Sequence, residues 1–177
     1  GNLVSNNGWT PLHIAARMGH ADIVDALLTI PSIDPNTVNS DGWSALHWAA
    51  WHGFTETVTV LLTAPSININ IADKNQTTPL HLAARNGHAD VITILVSNIN
   101  NEPNLLDNER RTPLHLATLY NHEAAVAALL QAAKVEVNHP DIDGLTPLHW
   151  AARNGHVGIL NRLLAYRDTL TDVIDNN

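Results

Sequence analysis

The chain has no cysteine, which excludes both a disulfide framework and a thiolate metal site and leaves a reducing compartment compatible. It has no apolar run near the roughly 18 residues that a membrane span needs, and no membrane partner is expected. Its start, Gly1-Asn2-Leu3-Val4-Ser5, lacks the charged and apolar regions of a secretory signal. Cations are scarce: nine Lys and Arg face 17 Asp and Glu, for a formal net charge of -8. That balance opposes the phosphate-neutralising contacts behind nucleic-acid affinity, so neither DNA nor RNA is an expected partner. There is no phosphate-cradling glycine loop and no Gly-x-Ser-x-Gly elbow, so no catalytic residue is assigned and no enzyme activity is expected of this segment. What remains is 177 residues, 45% hydrophobic and 15% charged, enough to bury a core as one domain or as an array.

Self-similarity chooses the array. Thr10-Pro11-Leu12-His13 recurs as Ser44-Ala45-Leu46-His47, Thr78-Pro79-Leu80-His81, Thr112-Pro113-Leu114-His115 and Thr146-Pro147-Leu148-His149, each 34 residues after the last. The small pairs Ala15-Ala16, Ala49-Ala50, Ala83-Ala84, Ala117-Thr118 and Ala151-Ala152 keep the step, as do the apolar pairs from Leu27-Leu28 to Leu163-Leu164. The approximate units are 5–38, 39–72, 73–106, 107–140 and 141–174 within a single array over 1–177.

Each unit reads as two short helices and a loop. Thr or Ser caps the first helix, Pro opens it, and the histidine three residues on is placed to bond back to the cap as in a capping box. Gly19, Gly53, Gly87, Asn121 and Gly155 end it, all residue types that accept left-handed backbone. The second helix carries an apolar stripe such as Ile23, Val24, Leu27 and Leu28, with Asp22 and Asp25 opposite. A Pro-, Asn- and Asp-rich segment then reads as an extended, hairpin-like loop, with Asn2, Asn36, Asn70, Asn104 and Asn138 at one position, expected to bond local or neighbouring backbone. Two such helices cannot bury their faces alone, so the fold class is an all-α solenoid of stacked units.

The Thr-Pro-Leu-His, small-pair, Gly-His and paired-Leu pattern resembles the ankyrin repeat over nearly the whole chain. The resemblance implies antiparallel helices with projecting hairpins, curved so that the concave side binds another protein. The repeat is one residue longer than the family's usual 33, and the loop after the paired Leu is expected to bulge there. Gln76 and Arg110 replace the tip glycine seen at Gly8, Gly42 and Gly144, so those two tips are expected to turn differently. Both ends carry the apolar pattern of the middle units, which points to an excerpt from a longer protein.

The resemblance implies a partner surface made of two variable positions near the end of each first helix and of the hairpin tips. The helix positions are Arg17 and Met18, Trp51 and His52, Arg85 and Asn86, Leu119 and Tyr120, and Arg153 and Asn154; the tips supply Trp9, Trp43, Lys74, Thr77, Arg111 and Leu145. Trp, Tyr and Arg dominate interface hot spots because they join large contact area to a polar handle. Trp9, Trp43 and Trp51 are expected to form an aromatic patch near Met18 and His52, whereas Trp48 and Trp150 are assigned to core packing. The cations Arg17, Lys74, Arg85, Arg110, Arg111 and Arg153 fall on this surface and Asp22, Asp25, Glu56, Asp90 and Glu123 on second helices, which suits a partner with an acidic contact segment. The hairpin acids Asp41, Asp107, Glu109 and Asp143 compete for those arginines.

Eleven histidines raise the question of a metal, but nine occupy two repeat positions about 10 Å from their counterparts, far beyond a zinc ligand's reach of about 2 Å. No metal or cofactor is expected. The expected function is protein–protein interaction by a monomeric fragment in an intracellular, cytoplasmic setting. The alternative is a substrate-targeting region of a larger enzyme or of a secreted bacterial effector acting in host cytoplasm; a third reading is self-association through uncapped ends.

Overall fold

Each first helix starts where the capping chemistry puts it. Thr10, Ser44, Thr78, Thr112 and Thr146 have extended backbone, and the histidine three residues later accepts the cap's N–H at Nδ1 over 3.1–3.2 Å. The structure, a computed structural model, describes residues 4–166. Within them run ten helices: α1 Pro11–Met18, α2 Ala21–Leu28, α3 Ala45–His52, α4 Thr55–Leu61, α5 Pro79–Asn86, α6 Ala89–Ser97, α7 Pro113–Leu119, α8 Glu123–Leu129, α9 Pro147–Asn154 and α10 Val157–Leu164. No strand forms among the described residues, so the loops are hairpin-like in path only.

Odd-numbered helices pack in one row, α1 on α3 on α5 on α7 on α9, and even-numbered helices in a second row beside it. The small pairs allow the close approach in the first row, since Ala16, Ala49, Ala50, Ala83, Ala84 and Ala117 are fully buried between neighbours. Leu46, Leu80, Leu114, Val58, Val91, Val126, Leu61, Leu95 and Leu129 fill the space between rows. Core and register therefore come from one contiguous cluster shared between units, as a stack of small repeats requires.

The loops are rigidly repeated. After each second helix two consecutive turns close, through Ile30 N–H to Leu27 O and Ile33 N–H to Ile30 O in the first unit and their counterparts in the next three. The asparagine position then ties one unit to the next: Asn36 Nδ2 donates to Ser66 O at 2.7 Å while its Oδ1 accepts Asn68 N–H at 2.7 Å. Asn70 and Asn104 repeat both bonds one unit further on. Asn2 lies outside the described residues.

The expectation of two different tips is corrected. Gln76 and Arg110 adopt φ 59° and 57°, the same left-handed backbone as Gly8, Gly42 and Gly144. The reason is the residue three before each: the Asp73 and Asp107 carboxylates each accept two tip N–H groups, and two backbone bonds close the same turn. That bonding overrides the local preference of Gln and Arg. Asn121 takes φ 60° as expected of its type.

Candidate functional site

The histidines that looked like local caps also clamp neighbouring units. His13, His47, His81 and His115 donate from Nε2 to the carbonyls of Trp43, Thr77, Arg111 and Leu145 at 2.9–3.1 Å. A carbonyl only accepts, so Nε2 carries the proton and Nδ1 is the acceptor facing the cap, which fixes the neutral tautomer. Burial disfavours the charged ring: desolvation takes His47 and His115 down to about 4 against the raising effect of their carbonyl partners and of Asp73 or Asp141, and it lowers His13 and His81 as well. A second set, at the start of the second helices, does the same for the first-helix ends. His88, His122 and His156 bond the carbonyls of Trp51, Arg85 and Leu119 at 2.9, 3.0 and 3.4 Å.

Seven of the expected contact positions are therefore held through their backbone carbonyls. These clamps fix where the residues stand without using their side chains. This division lets one scaffold carry a variable surface.

On that surface the first units carry a run of touching rings. Trp48 lies 4.9 Å from Trp9 and 4.5 Å from Trp43, and Trp43 lies 5.6 Å from Trp51. His52 stacks on Trp48 at 6.2 Å and on Phe54 at 5.4 Å. The assignment of Trp48 to the core is thus corrected: it is half-buried and joins Trp9 to Trp43. Trp150 is half-buried too, with Nε1 donating to Asp141 at 2.7 Å. Residue 14, at the same position one unit before Trp48, is exposed, whereas Leu82 and Leu116 are buried, so this position is core in the middle of the stack and surface near its ends.

Three arginines lie on these rings. The Arg17 guanidinium carbon sits 5.4 Å from the Trp9 centroid and 5.3 Å from Trp48, Arg85 bridges Trp51 at 5.9 Å and Tyr120 at 5.3 Å, and Arg153 covers Trp150 at 5.2 Å. Among the described residues none of the three forms an ion pair; both bridges found belong to Arg111, held by Asp107 at 2.8 Å and Glu109 at 2.7 Å. The expected competition from hairpin acids thus occurs at Arg111 and leaves the ring-stacked arginines free. A guanidinium stacked on a ring keeps its N–H edge outward, ordered and able to accept a carboxylate.

The other expected contact residues divide. Met18 at 58% and Tyr120 at 44% exposure, with exposed His52, Lys74 and Asn154, are open to a partner, and Thr77 and Leu119 are half-buried. Leu145 is a correction: at 7% exposure its side chain is packed away. Asn86 spends its Nδ2 on Leu82 O at 2.9 Å. Sequence reasoning missed the Asp73, Asp107 and Asp141 column, although its spacing of 34 was visible. No group of three or more His, Asp or Glu side chains suited to a metal occurs among the described residues, and no described helix is long and apolar enough to cross a membrane.

A family model described as ankyrin repeats (3 copies) matches residues 1–73, 30–104, 66–141 and 99–176. No curated protein matches the chain.

Proposed function

Because the chain belongs to the ankyrin-repeat family, whose repeats generally serve as protein–protein interaction modules, we propose that it binds a partner protein on the face built from the first-helix ends and hairpin tips. The observation that supports this is the ladder of Arg17, Arg85 and Arg153 over tryptophan and tyrosine rings, paired with no carboxylate among the described residues. A partner with an acidic contact segment fits it: apolar surface for the rings at Trp9, Trp43 and Trp51, and carboxylates for the stacked guanidiniums. Binding is by a preformed surface, since the histidine clamps set the backbone beforehand. No catalysis is assigned to this segment, and its working form is read as monomeric.

Capture from a eukaryotic lysate tests the proposal, comparing the intact chain with an Arg17→Ala, Trp51→Ala, Arg85→Ala variant of unchanged helical content. The three side chains make no hydrogen bond to the scaffold, so the fold should survive. Proteins held by the intact chain, released by salt and absent from the variant are the expected result. The same proteins held equally by both would place the contact elsewhere.

A further inference from the structure

One place in the tip column is chemically inverted. In Asp73, Asp107 and Asp141, Oδ1 accepts two tip N–H groups and Oδ2 accepts a side chain: Trp43 Nε1 at 3.0 Å, Arg111 Nε at 2.9 Å and Trp150 Nε1 at 2.7 Å. The second unit has Asn39 in this column. Its Oδ1 is committed to the N–H groups of Asp41 at 3.0 Å and Trp43 at 2.9 Å, so Nδ2 must stand where the others hold Oδ2. It is a donor in the acceptor's place. Asn39 is 5% exposed and Nδ2 has no partner.

The donors that would use this acceptor are present. Trp48 stands to Asn39 in sequence as Trp150 stands to Asp141, and its Nε1 is likewise buried without a partner. Trp9 stands to Asn39 as Trp43 stands to Asp73, and both hydrogen bonds of Trp9, to Ser5 Oγ and from Ser5 N–H, run through its main chain. Arg17 lies over both Trp9 and Trp48 with no ion pair among the described residues. Two unpartnered donors, Asn39 Nδ2 and Trp48 Nε1, thus stand at positions that elsewhere meet a carboxylate, with the Trp9 ring 4.9 Å from Trp48 and the Arg17 cation over both rings. A water would add donors of its own and leave the guanidinium uncompensated.

Resting on the concave-face reading, we propose that Asn39, Trp48, Trp9 and Arg17 form a receptor for one carboxylate, carried by an aspartate or glutamate side chain of the partner. The carboxylate takes the role that Asp141 plays toward Trp150 in the last unit. Trp43 is pinned by Asp73, whereas Trp9 lacks that anchor, so Trp9 is the ring that swings aside to admit the ligand.

Sodium acetate is the probe, titrated against the 15N-labelled chain with sodium chloride at equal ionic strength as reference. The Trp48 indole and Asn39 side-chain N–H resonances should move and saturate with acetate alone. Arg17→Gln should weaken the response. Asn39→Asp, which supplies the carboxylate from within the chain, should raise the thermal midpoint and weaken acetate binding roughly tenfold or more, the loss of one charge-assisted hydrogen bond. Resonances that move no more in acetate than in chloride, or equal responses from the intact chain and Asn39→Asp, would overturn the receptor. If that happens while capture still depends on Trp51 and Arg85, the receptor alone falls; if the receptor titrates while capture ignores those residues, the concave-face reading alone falls.

Discussion

Acid should unfold this array earlier than its acidic composition suggests, because its clamps work only as neutral imidazoles. His47 and His115 titrate near 4 in the folded chain and near the ordinary 6.5 when unfolded. The unfolded chain therefore binds more protons across that window, so stability is complete above about pH 6.5 and is lost as the pH falls toward 4. At pH 5 the linkage amounts to about 2 kcal/mol for each of the two, or about 4 kcal/mol together. His13 and His81 are lowered too and push the same way. The groups facing His47 other than its clamp partners are Asp73, His13 and His81, and burial outweighs them. Easing of the net charge of -8 acts in the opposite direction, but among exposed, screened charges it is the smaller effect. Against a total stability of about 5–15 kcal/mol the loss is large. Urea unfolding followed by circular dichroism should show the midpoint falling by between about 1 and 2 M from pH 7.5 to pH 5.0 at constant ionic strength. His115→Gln should be less stable at pH 7.5 and less pH-dependent. A midpoint that stays put between those pH values, or an unchanged slope in His115→Gln, would refute the neutral-clamp argument.

Other perturbations test the rest of the scaffold. Gln76→Gly and Arg110→Gly relieve non-glycine residues held left-handed; strain of about 1–2 kcal/mol per site, less the entropy of the added glycine, leaves a gain of roughly 0.5–1 kcal/mol each in the urea midpoint. Thr57 and Thr118 bury hydroxyls, and Asn101 an amide oxygen, without partners, where other units place Val91, Ala84 and Ile67. Thr57→Val, Thr118→Ala and Asn101→Ile should each stabilise the chain by about 1 kcal/mol, read from thermal melts. Arg111→Ala should leave partner capture intact, since its guanidinium is already held by Asp107 and Glu109, while Arg85→Ala should reduce it by roughly tenfold in affinity on a calorimeter.

Much of the fold was legible because its signals are local. The caps, the proline starts, the left-handed ends and the paired leucines each lie within a few residues, and their repetition at 34 set the units. Signals spanning units were not. The same His47 that reads as a capping-box partner of Ser44 also reaches Thr77 O, 30 residues on, and nothing near His47 announces it. The tips failed for a related reason: Gln76 was judged by its own backbone preference, whereas Asp73 dictates the turn. Trp48 was misplaced because repeat position gives only the average environment. Whether that position is core or surface depends on neighbouring tips, and here Trp9 and Trp43 meet it at the surface. Leu145 shows the converse, a tip residue that folds inward.

Photo-crosslinking addresses the central claim most directly, with benzoylphenylalanine placed at Met18 or Tyr120 on the proposed binding face and at Thr59 or Thr93, which are exposed on second helices. The account predicts partner adducts from positions 18 and 120, with acidic residues in the crosslinked peptide, and none from 59 and 93. Adducts from 59 and 93 alone would contradict it and move the binding surface to the opposite row.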